Sequence, residues 1–350
     1  MEYFIIVLIV LVALFLIYLI IGAILLMIFN HKLFGSRTQD PDNPCYLTYE
    51  DFQDELDRKE FQTYYYVREI NGYIYQKRFM NEFKGFIILS HGMFGTHIQY
   101  MMDIDFLCRN GYQVLAFDNY GCGLSEGEST QGLATGVYVL ENVIEDVKAN
   151  HLNHGLPIFL YGHSWGGFSV LGAMRNYPEI KGVISRSAPY SQLDAGKVLI
   201  QNIAKKIDKF YGPFVPFIGF FLTSHRMRIT IKRGVEKNKK TPVLVIQSKN
   251  DPMVPYPISA ACYFTNHPMD QVHVKVTEKG LHNSIIEEEG SKAYAELVKK
   301  YKEIETIPDQ KKKLAEERVF LSSLNKKEMY PYNREICDFI LDFLEECLKK

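Results

Sequence analysis

Ser164 sits in Gly162-His163-Ser164-Trp165-Gly166-Gly167, directly after the apolar run Leu156-Pro157-Ile158-Phe159-Leu160-Tyr161. The residues that follow, Phe168 to Arg175, pack at helical spacing until Pro178, so the serine is predicted on a tight strand-to-helix turn. A side chain on such a turn needs small neighbours. Gly162 and Gly166 lie two residues either side of it, and Gly167 lets the helix approach the strand closely. The hydroxyl is then presented at the carboxyl end of a sheet, with the N–H groups of the following helix aimed at any oxyanion formed there. The chemistry is acyl transfer through a covalent serine. It requires two partners, because a serine hydroxyl is a poor nucleophile until a base takes its proton and a carboxylate fixes the tautomer of that base.

The elements that would position these groups are legible along the chain. Asn71-Gly72 between two aromatic, β-prone runs (Phe61 to Phe79) predicts an antiparallel hairpin. Gly85 to Ser90 is a continuous apolar run of the kind a doubly buried strand needs, and it leads into His91-Gly92-Met93-Phe94-Gly95. A helical stretch near Ile104 to Asn110, a strand from Gln113 to Phe117, and helical spacing from Ser129 to Asn150 follow. Further on, strands are expected at Gly182–Ser185, Pro242–Ser248 and Val272–Val276. Alternating strands and helices imply an α/β fold: a mostly parallel central sheet with helices on both faces.

At this point the chain resembles the α/β-hydrolase superfamily, in its monoacylglycerol-lipase-like and serine-aminopeptidase-like branch. The resemblance is carried by His91-Gly92, by Gly162 to Gly166, and by Asp118-Asn119-Tyr120-Gly121-Cys122-Gly123-Leu124-Ser125, where the family commonly has Asp-x-Arg-Gly-x-Gly-x-Ser; Tyr120 departs from that pattern. It covers about residues 60 to 300. The family order of serine, acid, histidine implies Asp251, at the carboxyl end of the strand Pro242–Ser248, as the acid. It implies His282, in the loop Thr277 to Ser284, as the base. His273 on a strand, His267 before Pro268 and His163 inside the elbow are rival bases, each read as structural or exposed; Glu278 and Asp270 are rival acids, but neither ends a predicted strand as Asp251 does. The backbone N–H groups of Met93 and Trp165 hold the positions of the oxyanion donors. No metal or organic cofactor is implied.

Composition bounds the rest. The net charge of −1 over 350 residues argues against a nucleic-acid partner, and 47% hydrophobic with 23% charged residues is ordinary globular usage. Phe4 to Phe29 contains no charge over twenty-six residues, enough to cross a bilayer core, and the run is too long for the apolar region of a signal peptide. A single-pass anchor at residues 1–30 is expected, then a linker and lead-in at 31–59 with turn chemistry at Gln39 to Pro44, then the hydrolase domain at 60–350. Lys32 and Arg37 after the apolar run favour a cytoplasmic domain. Six scattered cysteines without a Cys-x-x-Cys suit reduced thiols.

About residues 190–240 form an insertion, which the resemblance makes a cap over the site. Ser191 to Lys240 carries eleven Lys or Arg against three Asp or Glu, beside the aromatic run Phe210 to Phe221. Such a surface suits anionic lipid, while packed aromatics with solvated lysines would account for the same composition. Towards the end, Ile336, Phe339, Ile340, Phe343 and Leu344 predict an amphipathic helix covering one face of the sheet. The reading that follows is a membrane-anchored serine hydrolase of carboxylic esters, with a monoacylglycerol or similar lipid ester as substrate. A serine aminopeptidase, or a tethered protein without catalysis, are its competitors.

Overall fold

The computed structural model describes residues 2–40, 43–191 and 229–350. Among the described residues, eight strands form one sheet in the order β1-β2-β4-β3-β5-β6-β7-β8. These are β1 Leu56–Tyr65, β2 Arg68–Lys77, β3 Gly85–Ser90, β4 Tyr112–Phe117, β5 Ile158–His163, β6 Gly182–Arg186, β7 Val243–Ser248 and β8 Val272–Thr277. From β4 to β8 every neighbouring pair is parallel, while β1 and β2 close one edge antiparallel. Strands β3 to β7 are buried at every residue, which is why their sequences are apolar runs rather than alternations.

Helices cover both faces. On one lie α3 (Leu133–Ala149), α4 (Trp165–Ala173), α5 (Ile231–Lys237) and α6 (Ala260–Asn266), packed through Val137, Phe168, Ile231 and Phe264. On the other lie α2 (Met101–Arg109) and α9 (Arg334–Lys349), which buries Ile336, Ile340, Phe343 and Leu344 as its amphipathic spacing requires. Each such side chain contributes about 1.5–3 kcal/mol by leaving water. Helices α7 (Glu288–Glu305) and α8 (Gln310–Ser322) pack together through Tyr301, Ile304 and Phe320.

The hairpin forms, but its turn is not at Asn71-Gly72. The chain reverses at Tyr66–Val67, and Asn71 and Gly72 lie inside β2, opposite Gln62 and Phe61. Gly72 is needed there for close approach: a Cβ on it would lie 2.3 Å from the Ala116 carbonyl oxygen and 2.5 Å from Phe117 Cα on β4. The Asn71 side chain donates instead to the Leu124 carbonyl.

Helix α1 runs from Glu2 to Phe34. Its segment Tyr3–Leu25, with mean hydropathy 3.6, is long and apolar enough to cross a membrane, and its large apolar side chains are mostly exposed. The domain is met earlier than the Gln39–Pro44 turn: Phe34 is buried in the core and Thr38 bridges to Cys122. All six cysteines are free thiols. The core of the expected cap, residues 192–228 with its aromatic run, lies outside the described residues.

Candidate active site

Ser164 joins β5 to α4 with φ 56° and ψ −116°, left-handed backbone on a non-glycine residue. Such a conformation costs of order 1–3 kcal/mol and persists only where the surroundings impose it. Here the Ser164 N–H donates to the Arg186 carbonyl (2.8 Å), and its own carbonyl accepts from Phe168 N–H (3.0 Å). The flanking glycines are a steric requirement. A Cβ on Gly166 would lie 1.8 Å from the Ser90 carbonyl oxygen, and one on Gly162 would lie 2.2 Å from that of Gly166.

Asp251 lies in the loop after β7 and is buried. Its carboxylate accepts from Met253 N–H (2.8 Å), Val254 N–H (2.9 Å) and the Gln247 amide (3.0 Å). The remaining contact is His282, whose Nδ1 lies 2.8 Å from Oδ2 and 3.1 Å from Oδ1. An ionised acceptor there places the histidine proton on Nδ1 and leaves Nε2 with its lone pair. His282 follows Gly280 (φ 143°) and Leu281 (φ 53°), and the Asn250 side chain holds the Leu281 N–H.

The serine is brought to this pair through its neighbour. The His163 ring is 4.6 Å from the His282 ring, and His163 Nε2 lies 2.9 Å from the His282 carbonyl, which also accepts from Ser187 Oγ. Ser164 Oγ makes no direct hydrogen bond among the described residues. The remaining histidines and acids lie elsewhere. His267, His273 and Asp270 are exposed, and Glu278 pairs with Lys249 at the surface.

Gly92 is pinned from both sides. His91 Nε2 accepts from Asn119 N–H (2.9 Å), so its Nδ1 carries the proton and donates to the Gly92 carbonyl (2.7 Å). The Gly92 N–H donates to the Tyr100 hydroxyl (2.7 Å), which in turn donates to His163 Nδ1 (2.7 Å). Since the Gly92–Met93 peptide is trans, fixing that carbonyl fixes the opposite direction of the Met93 N–H. Burial holds the pKa of both histidines below the ordinary value, that of His163 far below, with the proximity of His282 and Arg186 adding to it.

A cavity of about 420 Å³ opens beside these residues, with Met93, His163 and His282 in its wall. Leu47, Ile98, Met101 and Ile286 make it apolar, and no Asp, Glu, Lys or Arg lines it among the described residues. Among its lining atoms, Asn283 Oδ1 and Ser291 Oγ are buried without a hydrogen-bond partner among the described residues.

Sequence reading missed several of these groups. Gln247 and Arg186 had a usable signal, a polar residue within a run otherwise suited to full burial. Arg186 is buried against Asp103, whose Oδ1 also accepts from Tyr161 (2.6 Å). Tyr100 and the cavity wall had none, since their roles depend on packing between distant segments.

The chain is similar to proteins of known family and fold. Residues 81–232 match the family described as serine aminopeptidase, S33. A monoglyceride lipase of Saccharomyces cerevisiae is 36% identical over 92 residues, which is 25% of this chain and 29% of that protein, so the chain matches under a third of that relative's length. A monoglyceride lipase homolog of Monkeypox virus is 25% identical over 245 residues, 61% of this chain and 87% of its own. Among solved structures, an esterase of Pyrococcus furiosus superposes with a TM-score of 0.54 at 20% identity, covering 77% of this chain and 98% of its own. That likeness establishes the shared fold.

Proposed function

We propose that the chain, which is similar to the serine aminopeptidase S33 family and to monoglyceride lipases and has the α/β-hydrolase fold, is a membrane-anchored serine hydrolase of neutral carboxylic esters. Ser164 Oγ attacks the acyl carbonyl while His282 Nε2 takes its proton. Asp251 holds His282 in the required tautomer and stabilises the imidazolium. The N–H groups of Met93 and Trp165 bind the oxyanion. His282 then returns the proton to the departing alcohol, and water, activated the same way, releases the acyl group from Ser164. The observation that carries this reading is the Asp251–His282 couple, a carboxylate held by three further donors, in contact with His163, the residue before a serine in strained backbone. A serine not yet bonded to its base is usual before substrate arrives, because such contacts tighten in the complex.

The cavity supports a neutral, hydroxyl-bearing ester, such as a monoacylglycerol. A peptidase acting on a free amino terminus needs a carboxylate to meet the ammonium group, and none lines the cavity among the described residues. Asn283 Oδ1 and Ser291 Oγ are suited to an alcohol hydroxyl. The relatives named monoglyceride lipase favour the same class. Helix α1 supports attachment to the membrane.

A fluorophosphonate probe tests the chemistry. Wild-type protein is expected to label and to hydrolyse short p-nitrophenyl esters. Ser164→Ala is expected to lose both, and Asp251→Asn to lower turnover by about 10⁴-fold. Labelling that survives Ser164→Ala would exclude this serine as the nucleophile, and cleavage of aminoacyl anilides in preference to esters would turn the assignment to the peptidase.

A further inference from the structure

From the way α1 is fastened to the domain, we infer that the carboxyl edge of the sheet, where the candidate site opens, is itself a lipid-facing surface set at headgroup depth in the bilayer that α1 enters. The inference rests on the proposed anchoring of α1, and the residues that carry it are not those of the expected cap.

The fastening is to one loop, the one that leaves the carboxyl end of β4. The Phe34 carbonyl accepts from Gln131 N–H (3.3 Å) and Thr130 Oγ (3.4 Å). Thr38 exchanges backbone hydrogen bonds with Gly121 and Gly123 at 2.9 Å each. The Arg37 guanidinium spans the carbonyls of Gly123, Ser125 (2.6 Å) and Gly127 (3.2 Å). From Phe29, the last apolar residue before Asn30, to Phe34 is about 7.5 Å of helix. The interfacial layer on each side of a bilayer core is about 5–8 Å thick. A domain fastened at Phe34 by its carboxyl edge therefore has that edge in the headgroups.

The exposed side chains agree. Outside α1, ten large hydrophobic residues are exposed among the described residues, and six of them lie at this edge. Tyr64, Tyr66 and Val67 (84% exposed) form the β1–β2 tip, while Phe94, Leu124 and Met253 stand on the loops after β3, β4 and β7. The tip is tied to the same β4 loop, with Glu126 N–H on the Glu69 carbonyl (2.9 Å), Glu69 N–H on the Glu126 carboxylate (3.0 Å) and Asn71 N–H on Ser125 Oγ (2.9 Å). Exposed Arg68 opens β2 at the tip, and exposed Lys32 lies in the last turn of α1, where both suit lipid phosphates. An apolar surface gathered at one edge marks a contact, and its continuity with a helix that suits a bilayer core identifies lipid as the occupant. Phe94 belongs both to this exposed set and to the cavity wall, so an ester can pass from the bilayer to the site without crossing water.

The test uses the full chain in phosphatidylcholine vesicles with Cys262→Ser as background. Single nitroxide labels at Val67, Leu124 and Met253 are compared with labels at Phe79, which follows the opposite end of β2, and at Leu14 within α1. The first three are expected to be relaxed by oxygen and shielded from a water-soluble nickel chelate, while Phe79 shows the reverse. Chelate access at Val67, Leu124 and Met253 equal to that at Phe79 would overturn the surface. Chelate access at Leu14 would overturn the anchor and the surface together. In a second arm, Tyr66→Asn with Val67→Ser, chosen because Asn tolerates the φ of 55° at Tyr66, is expected to lower kcat/KM on a vesicle-held monoester by about tenfold, the loss expected from removing one buried side chain. Cleavage of a water-soluble ester should be unchanged, and equal loss on both substrates counts against the surface. Shielded labels on a protein inactive toward every ester would uphold the surface and remove the hydrolase reading instead.

Discussion

His163 accepts from the Tyr100 hydroxyl at Nδ1, so its proton is on Nε2 and donates to the His282 carbonyl. One neutral ring thus ties the loop of Met93 to the loop of His282, next to the serine. Both His163 and His91 are held below the ordinary 6.5 by burial, and the folded protein keeps them uncharged. As the pH falls through about 6.5 the unfolded chain takes up protons that the folded one refuses. Stability is therefore lost from that point downward, by at most about 1.4 kcal/mol per pH unit for each histidine. Denaturant unfolding in detergent at pH 7.5, 6.5 and 5.5 is expected to show this decline, and His163→Gln, whose amide can both donate and accept, should make it shallower. A profile flat down to pH 5.5 would contradict the neutral, buried assignment.

At the scale of elements, the antiparallel edge shows how a local signal is overridden. Asn-Gly is a strong turn dipeptide, yet Gly72 serves the approach of β2 to β4, and the turn falls to Tyr66–Val67. The existence of the hairpin was legible in its β-prone runs, whereas its register depended on a strand forty residues away in sequence. Gly72→Ala is expected to destabilise the protein by more than about 2 kcal/mol, because the clash is with backbone. Gly155→Ala, at φ 80° with open space around it, should cost about 1–2 kcal/mol from conformation alone. Equal midpoints in urea for the two variants would remove the packing explanation.

Over the whole molecule, α1 and the edge that holds the candidate site are joined through Arg37. Its three carbonyl partners lie on a single loop, and a planar guanidinium can span them where a lysine ammonium cannot. Arg37→Gln is expected to weaken that attachment by about 2 kcal/mol, raising chymotryptic cleavage after Phe34 about thirtyfold, with Arg37→Lys failing to restore protection. Unchanged cleavage would show that Phe34 and Thr38 suffice to hold the helix.

What the sequence determined by itself rests on short-range physics. The glycines around Ser164 follow from one turn, the doubly buried strands from their apolar runs, α9 from its spacing, and the bilayer-length helix from uninterrupted apolar residues. The resemblance supplied Asp251 and His282 as candidates, but only the tertiary structure put His282 Nδ1 on the Asp251 carboxylate, Tyr100 between Gly92 and His163, and Tyr46 and Tyr330 around one cavity. Those contacts join segments far apart in the chain. Their meeting is decided by strand order and helix packing, which no local period or turn dipeptide encodes.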